Sequence, residues 1–187
     1  MNFLNKTFTL VITALALHAH AAPYQAIVPA KSSVTFSYKQ MGVAIDGRFK
    51  KFAAQVNFDP AKAEAGKASF DVELASVDAG SSEADDEVLT KSWFNAAAYP
   101  KATFVAKQFK QTAPNQYEVT GSLSIKGQTR EVKFPMKHTP QGKDGVLTGG
   151  FTLKRGDFNI GEGMWAKFDV VANDIQVNFS LTAQSSK

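Results

Sequence analysis

The sequence predicts an all-β fold. Three observations carry this: residues alternate apolar and polar with a period of two, turn signals separate the alternating stretches, and each stretch has one wet face. Strands of this kind are antiparallel and share a buried side. Period-two rows run Val34, Phe36, Tyr38; then Phe52, Ala54, Val56, Phe58; then Phe70, Val72, Leu74. They continue with Tyr117, Val119, Gly121, Leu123, Ile125; with Val132, Phe134, Met136; with Leu147, Gly149, Phe151, Leu153; and with Ile175, Val177, Phe179, Leu181. Residues 102–109 form an eighth, less regular stretch that contains Phe104. Turns are expected at Asp59-Pro60, Pro114-Asn115, Lys126-Gly127, Gln141-Gly142 and Asp144-Gly145. Seven or eight such strands form a sandwich or close into a barrel, and closure removes the edges.

Ser82 to Ser92 breaks the alternation and reads as a helix. Ser82 with Asp85 is expected as its capping box, and Leu89 and Trp93 as one face at i, i+4. Pro100 ends the segment, and the tail from Gln184 to Lys187 is expected to fray. Residues 1–21 read as a cleavable secretory leader. Lys6 supplies a positive start, Phe8 to Leu17 an uncharged apolar run, and Ala19-His20-Ala21 a small-x-small cleavage site. That run is too short for a spanning helix, which needs about 20 apolar residues. Residues 22–187 suit one domain with a sizeable core. The expected location is the periplasm.

Composition excludes several functions. Cysteine is absent, so neither disulfides nor thiolate metal sites exist. Of the three histidines, His18 and His20 fall in the leader, leaving His138. A histidine-rich metal site is therefore unavailable within one chain. No nucleophile elbow, phosphate loop or dinucleotide fingerprint is present. The net charge of +4 comes from dispersed lysines, not the dense basic stripe that nucleic-acid binding requires. Asp71 and Glu73 fall on a wet face. Parity places Arg155 and Asp157 at the end of the Leu147–Leu153 row, where a mutual or backbone contact closes one end. It places His138 beyond Met136, exposed at a strand end.

Ordered anchors run through nearly the whole chain, from Tyr24 to Ala183. They are Ser33-Val34-x-Phe36, Gly47-Arg48-Phe49, Val56-Asn57-Phe58-Asp59-Pro60, Ser76-Val77-Asp78, Ser92-Trp93-Phe94 and Tyr99-Pro100-x-Ala102-Thr103-Phe104. Gly121 to Gly127 and Arg155-x-Asp157-Phe158-x-Ile160-Gly161 complete the set. In these the chain resembles the YceI-like family of polyisoprenoid-binding, lipocalin-like bacterial proteins. It departs in having Gln40 where many members carry histidine, and Trp93-Phe94 where many carry Phe-Phe. The resemblance implies an extended eight-stranded antiparallel barrel, with the helix near one end and an isoprenoid chain threaded through the interior.

The ligand implied is a polyprenol derivative or isoprenoid quinone, and no other cofactor or metal is expected. Its walls would be Phe36, Tyr38, Phe49 and Phe52; Phe70, Val72 and Leu74; and Trp93, Phe94 and Phe104. Leu123, Phe134 and Met136 would continue them, with Phe151, Leu153, Arg155, Phe158, Trp165, Val177 and Phe179. A non-enzymatic carrier is expected, monomeric or homodimeric, meeting a membrane surface or a membrane redox partner transiently. A lipid-acting enzyme using His138 or Arg155, and a barrel filled by its own side chains, are the competing readings. N-terminal sequencing of exported protein should find Ala22 or Pro23 first; an intact Met1 in a membrane fraction would contradict the leader.

Overall fold

The computed structural model describes residues 23–185, so the expected leader lies outside them. The elements are β1 (Tyr24–Ile27), β2 (Ser33–Gln40), β3 (Val43–Phe49), β4 (Phe52–Phe58), β5 (Lys67–Glu73), β6 (Val77–Asp78), α1 (Ser82–Leu89), β7 (Lys101–Ala113), β8 (Gln116–Ile125), β9 (Gln128–Gln141), β10 (Asp144–Lys154) and β11 (Asp174–Ser185). No described helix is long and apolar enough to cross a membrane.

Eight strands close into an antiparallel barrel in the order β1-β4-β5-β7-β8-β9-β10-β11, with β1 pairing back to β11. The C-terminal part of β11 pairs with β1, through Ala183 to Ser185. Its preceding part, Gln176 to Ser180, pairs with β2. From β2 the sheet runs on to β3 and β6. One end of the barrel is thus shut by β1, and at the other the sheet continues beyond the ring. Gln184 and Ser185 are laddered to Ala26 and Tyr24, so the expected fraying does not extend to them.

Inward rows follow the sequence parity. Along β8 burial alternates strictly from Gln116 to Ile125. In β7 a bulge between Ala106 and Gln108 shifts the register, moving the buried row from Phe104 to Phe109. This explains its irregular pattern. At two inward positions glycine makes room for an aromatic ring. A Cβ on Gly121 would lie 2.4 Å from the Phe104 ring, and one on Gly149 2.5 Å from the Phe179 ring.

Several local expectations are corrected. The α1 cap is Ser81, whose hydroxyl accepts from Ala84 N, and Asp85 instead accepts from the Ala79 N–H. The helix stops at Leu89, so Trp93 lies in the following turn rather than on a shared helical face. Asp144 and Gly145 pair with Gln141 and Pro140, and the tight turn falls between those pairs, with Gly142 at φ +62°. At β8–β9 the turn is Lys126-Gly127 as expected, both with positive φ.

The shut end is packed with side chains. Tyr24, Phe58, Phe109, Tyr117, Met136 and Leu147 form one core cluster. The Phe58 ring meets Tyr117 edge-on at 5.1 Å. His138 belongs here and is 3% exposed, not solvated at a strand end. Its Nε2 is 2.9 Å from the Tyr24 hydroxyl and its Nδ1 3.4 Å from Asn115 Oδ1. With Nδ1–H turned to Asn115, Nε2 accepts from the hydroxyl, which ties β1 to the end of β9.

Burial holds the His138 imidazole below its ordinary pKa of 6.5. Near that pH the unfolded chain therefore binds more protons than the folded one, and this contribution to stability is lost as pH falls through 6.5 and below. Melting temperature should drop on acidification more steeply for the native protein than for His138→Gln. His138→Ala should cost about 1–3 kcal/mol, because it leaves the Tyr24 hydroxyl only the longer contact to Asp144 O at 3.5 Å. Parallel acid slopes in the two proteins would contradict this assignment.

Candidate functional site

The inward rows do not fill the barrel towards its other end. A cavity of 510 Å³ lies among β2, β3, α1 and the segment that follows β10, and a second of 150 Å³ lies deeper. Val34, Val72, Ala102, Leu123, Phe151 and Val177 line both, forming a collar between the two compartments.

The outer compartment is walled by thirteen of the residues expected from the sequence. Phe36 and Tyr38 come from β2, Phe49 from β3, and Val72 and Leu74 from β5 and its end. Trp93 and Phe94 follow α1; Leu123, Phe151, Leu153 and Val177 come from the ring; Arg155 and Trp165 come from the post-β10 segment. Phe70, Phe104, Phe134, Met136 and Phe179 line the inner compartment. There Phe134 contacts Phe104, Phe151 and Phe179 at centroid distances of 5.5, 5.4 and 5.6 Å.

Two expected wall residues are corrected. Phe52 lines neither compartment and stacks on Phe70 at 5.2 Å. Phe158 is packed in the core cluster with Trp93 and Ile160, behind the wall. Sequence reasoning left out Gln40, Glu87, Val88, Ile125, Val171 and Ile175, which line the outer compartment. Ile125 and Ile175 lay on inward rows and were legible. Glu87 was not, because α1 is short and nothing in its spacing marks the cavity side.

Arg155 organises the outer end. β10 ends at Lys154, and Arg155–Phe158 forms a 3-10 turn. The strand parity expected to continue to Asp157 therefore breaks, and Asp157 is exposed. The guanidinium is 1% exposed and donates to six carbonyls. These belong to Ile160 (2.8 Å), Gly161 (3.2 Å), Trp165 (2.8 Å), Lys167 (3.2 Å), Val171 (2.8 Å) and Ala172 (3.2 Å). Its Cζ sits 5.3 Å from the Trp93 ring centroid and 4.8 Å from that of Phe168. Burial lowers its pKa, though a guanidinium stays charged. The Arg155–Asp157 alternative is overturned, and backbone carbonyls take the acid's place. Gly161, at φ +81°, admits the fork: a Cβ there would lie 2.1 Å from Nη1.

Two further braces fix the segment. Buried Lys126 donates to Asn159 O at 2.6 Å and to Glu162 at 2.7 Å. The Met41 N–H donates to Val170 O, and the Ala172 N–H to Lys39 O, joining the segment to the β2–β3 hairpin. On α1, Glu87 Oε1 accepts from Trp93 Nε1 at 3.1 Å and Trp165 Nε1 at 2.8 Å.

Comparison with known proteins agrees with this architecture. A family model described as YceI-like domain matches residues 25–183. A UPF0312 protein of Pseudomonas putida strain W619 is 32% identical over 186 residues, covering 93% of this chain and 96% of that protein. BcnA of Burkholderia cenocepacia is 42% identical at a TM-score of 0.82, covering 84% of this chain and 99% of that one. A polyisoprenoid binding domain from Saccharophagus degradans superposes at 0.67 with 16% identity, covering 89% and 99%, and shares the fold.

Arg155→Ala should cost about 3 kcal/mol or more in the ligand-free protein, since several carbonyls lose their donor in a dry site. Asp157→Ala should change stability by less than about 0.5 kcal/mol, as an exposed residue does. Denaturant unfolding of both variants checks this, and equal losses would restore the discarded pairing.

Proposed function

This chain belongs to the YceI-like domain family, and we propose that it carries one long apolar isoprenoid lipid, a polyprenol derivative or an isoprenoid quinone, in its two linked compartments. The observation that carries the reading is the cavity itself: apolar, collared and long, within the volume range of about 300–1,000 Å³ usual for ligand sites. An isoprenoid has little to hydrogen-bond, and each buried methylene contributes about 0.8 kcal/mol. The Saccharophagus degradans relative, described as a polyisoprenoid binding domain, supports the same ligand class.

A binding role is favoured over catalysis by where the polar groups sit. His138 is in the packed shut end and lines neither compartment. Arg155 has its donors engaged by carbonyls. The leader-like residues 1–21 support a periplasmic location for this carrier. The outer end also supports transient contact with a membrane surface. Met41, Met164 and Val170 are exposed and adjoin the lining residues Gln40, Trp165 and Val171. Val43 and Phe168 are exposed in the same hairpin and segment.

Titration with prenyl alcohols of increasing length tests the carriage. Affinity should rise with length, by no more than about 0.8 kcal/mol per added methylene, and level off once both compartments are filled. Ala102→Trp, which narrows the collar, should bring the plateau to shorter chains. Affinity independent of length in both proteins would contradict carriage.

A further inference from the structure

The outer compartment distributes its hydrogen-bonding groups unevenly. Apart from the Gln40 amide and the Ser81 hydroxyl, its side-chain donors are engaged within the protein. The Tyr38 hydroxyl donates to Ala79 O at 2.9 Å. Both indoles donate to Glu87 Oε1. All of the Arg155 nitrogens donate to carbonyls. Ser81 accepts from Ala84 N. Glu83 is exposed, and hydrogen bonding at the start of α1 holds its carboxyl below the usual range. What is left is an acceptor. Both indoles meet the same oxygen of Glu87, and among the described residues Oε2 has no hydrogen-bond partner. Gln40, at the end of β2, is the one wall residue with a free amide offering both functions.

Such a wall discriminates among lipid heads. A phosphate brings negative charge to a compartment whose lining cation, Arg155, is already saturated, and where a carboxylate waits. A head with acceptors alone, such as an ether, an ester or an oxidised quinone, leaves Oε2 unpaired. A hydroxyl donates to Oε2 in a charge-assisted hydrogen bond, stronger than a neutral one. Oε2 is accessible in the open cavity, and a lipid head that covers it without pairing it leaves a desolvated carboxylate oxygen, a mismatch of the kind from which strong discrimination arises. We propose that Glu87, braced by Trp93 and Trp165, is the polar anchor of the cavity, and that it selects isoprenoids whose head carries a hydroxyl donor over phosphorylated or acceptor-only ones. Alcohols, phenols and quinols belong to the selected class. This selection rests on the carriage reading.

Trp93 and Trp165 are the two tryptophans of the chain, so its tryptophan fluorescence reports on this anchor. The probes are geranylgeraniol, its methyl ether, its monophosphate and the hydrocarbon with hydrogen in place of the hydroxyl. Titrated by fluorescence quenching, the alcohol should bind roughly tenfold or more tighter than the ether and the phosphate, the worth of one charge-assisted hydrogen bond. Glu87→Gln keeps a carbonyl for the indoles but turns an amide donor to the cavity. It should bring the alcohol and the ether level, with the melting temperature measured alongside to establish folding. Should that variant not fold, the ranking on the unaltered protein decides. Equal affinity for alcohol and ether, tightest binding of the phosphate, or an alcohol preference that survives in folded Glu87→Gln would overturn the selection. If the hydrocarbon binds as well as the rest, carriage stands and selection falls. If no probe binds, both fall.

Discussion

A guanidinium taken out of water must be given acceptors, and Arg155 finds them in the carbonyls of the segment that follows it. Six carbonyls between Ile160 and Ala172 converge on one fork. A carboxylate partner would neutralise the charge but would leave that backbone unsatisfied in a dry place, where unpaired polar groups are costly. The carbonyl cage solvates the charge and satisfies that backbone at once. It holds a stretch without regular structure in one conformation, and so places Trp165 and Val171 on the cavity wall. It also stacks Trp93 against the cation, and Trp93 in turn holds Glu87. The outer compartment is built outward from this one side chain.

The two ends of the barrel solve the interior differently. At the shut end β1 completes the ring, and Tyr24, Phe58, Tyr117 and His138 fill the space with interlocking rings. At the outer end β2 takes the place beside β11 and leads to β3 and β6. The sheet is carried past the ring, and α1 with the Arg155 segment covers the opening incompletely. A core filled by the protein's own side chains and an open apolar cavity are thus both present, divided at the collar around Ala102 and Leu123.

Much of this was legible in the sequence because strand parity is a local property. The rows through Leu123, Phe134, Phe151 and Phe179 could be assigned to the interior from period-two alternation alone. β3 escaped because Gly47 interrupts its inward row, and the missing side chain is supplied across the ladder by Phe36, whose ring would lie 2.3 Å from a Cβ there. β1 and β6 are too short to show a period. Parity also failed where strands end. Arg155 and Asp157 share a row only if β10 continues, and it stops at Lys154. His138 looked like a strand end because its row ran out of apolar residues, whereas β9 continues to Gln141 and packs it under Tyr24. Contacts set by long-range closure, such as Lys126 with Glu162 or Glu87 with Trp165, leave no spacing to read.

On the proposed carriage, lipid occupies the space behind the Arg155 cage in the cell. Native mass spectrometry of protein recovered from cells without organic solvent measures this most directly. A complex of one chain with one isoprenoid is expected, its excess mass leaving after solvent extraction while the fold persists. Well-folded protein that emerges repeatedly at its bare mass would contradict it.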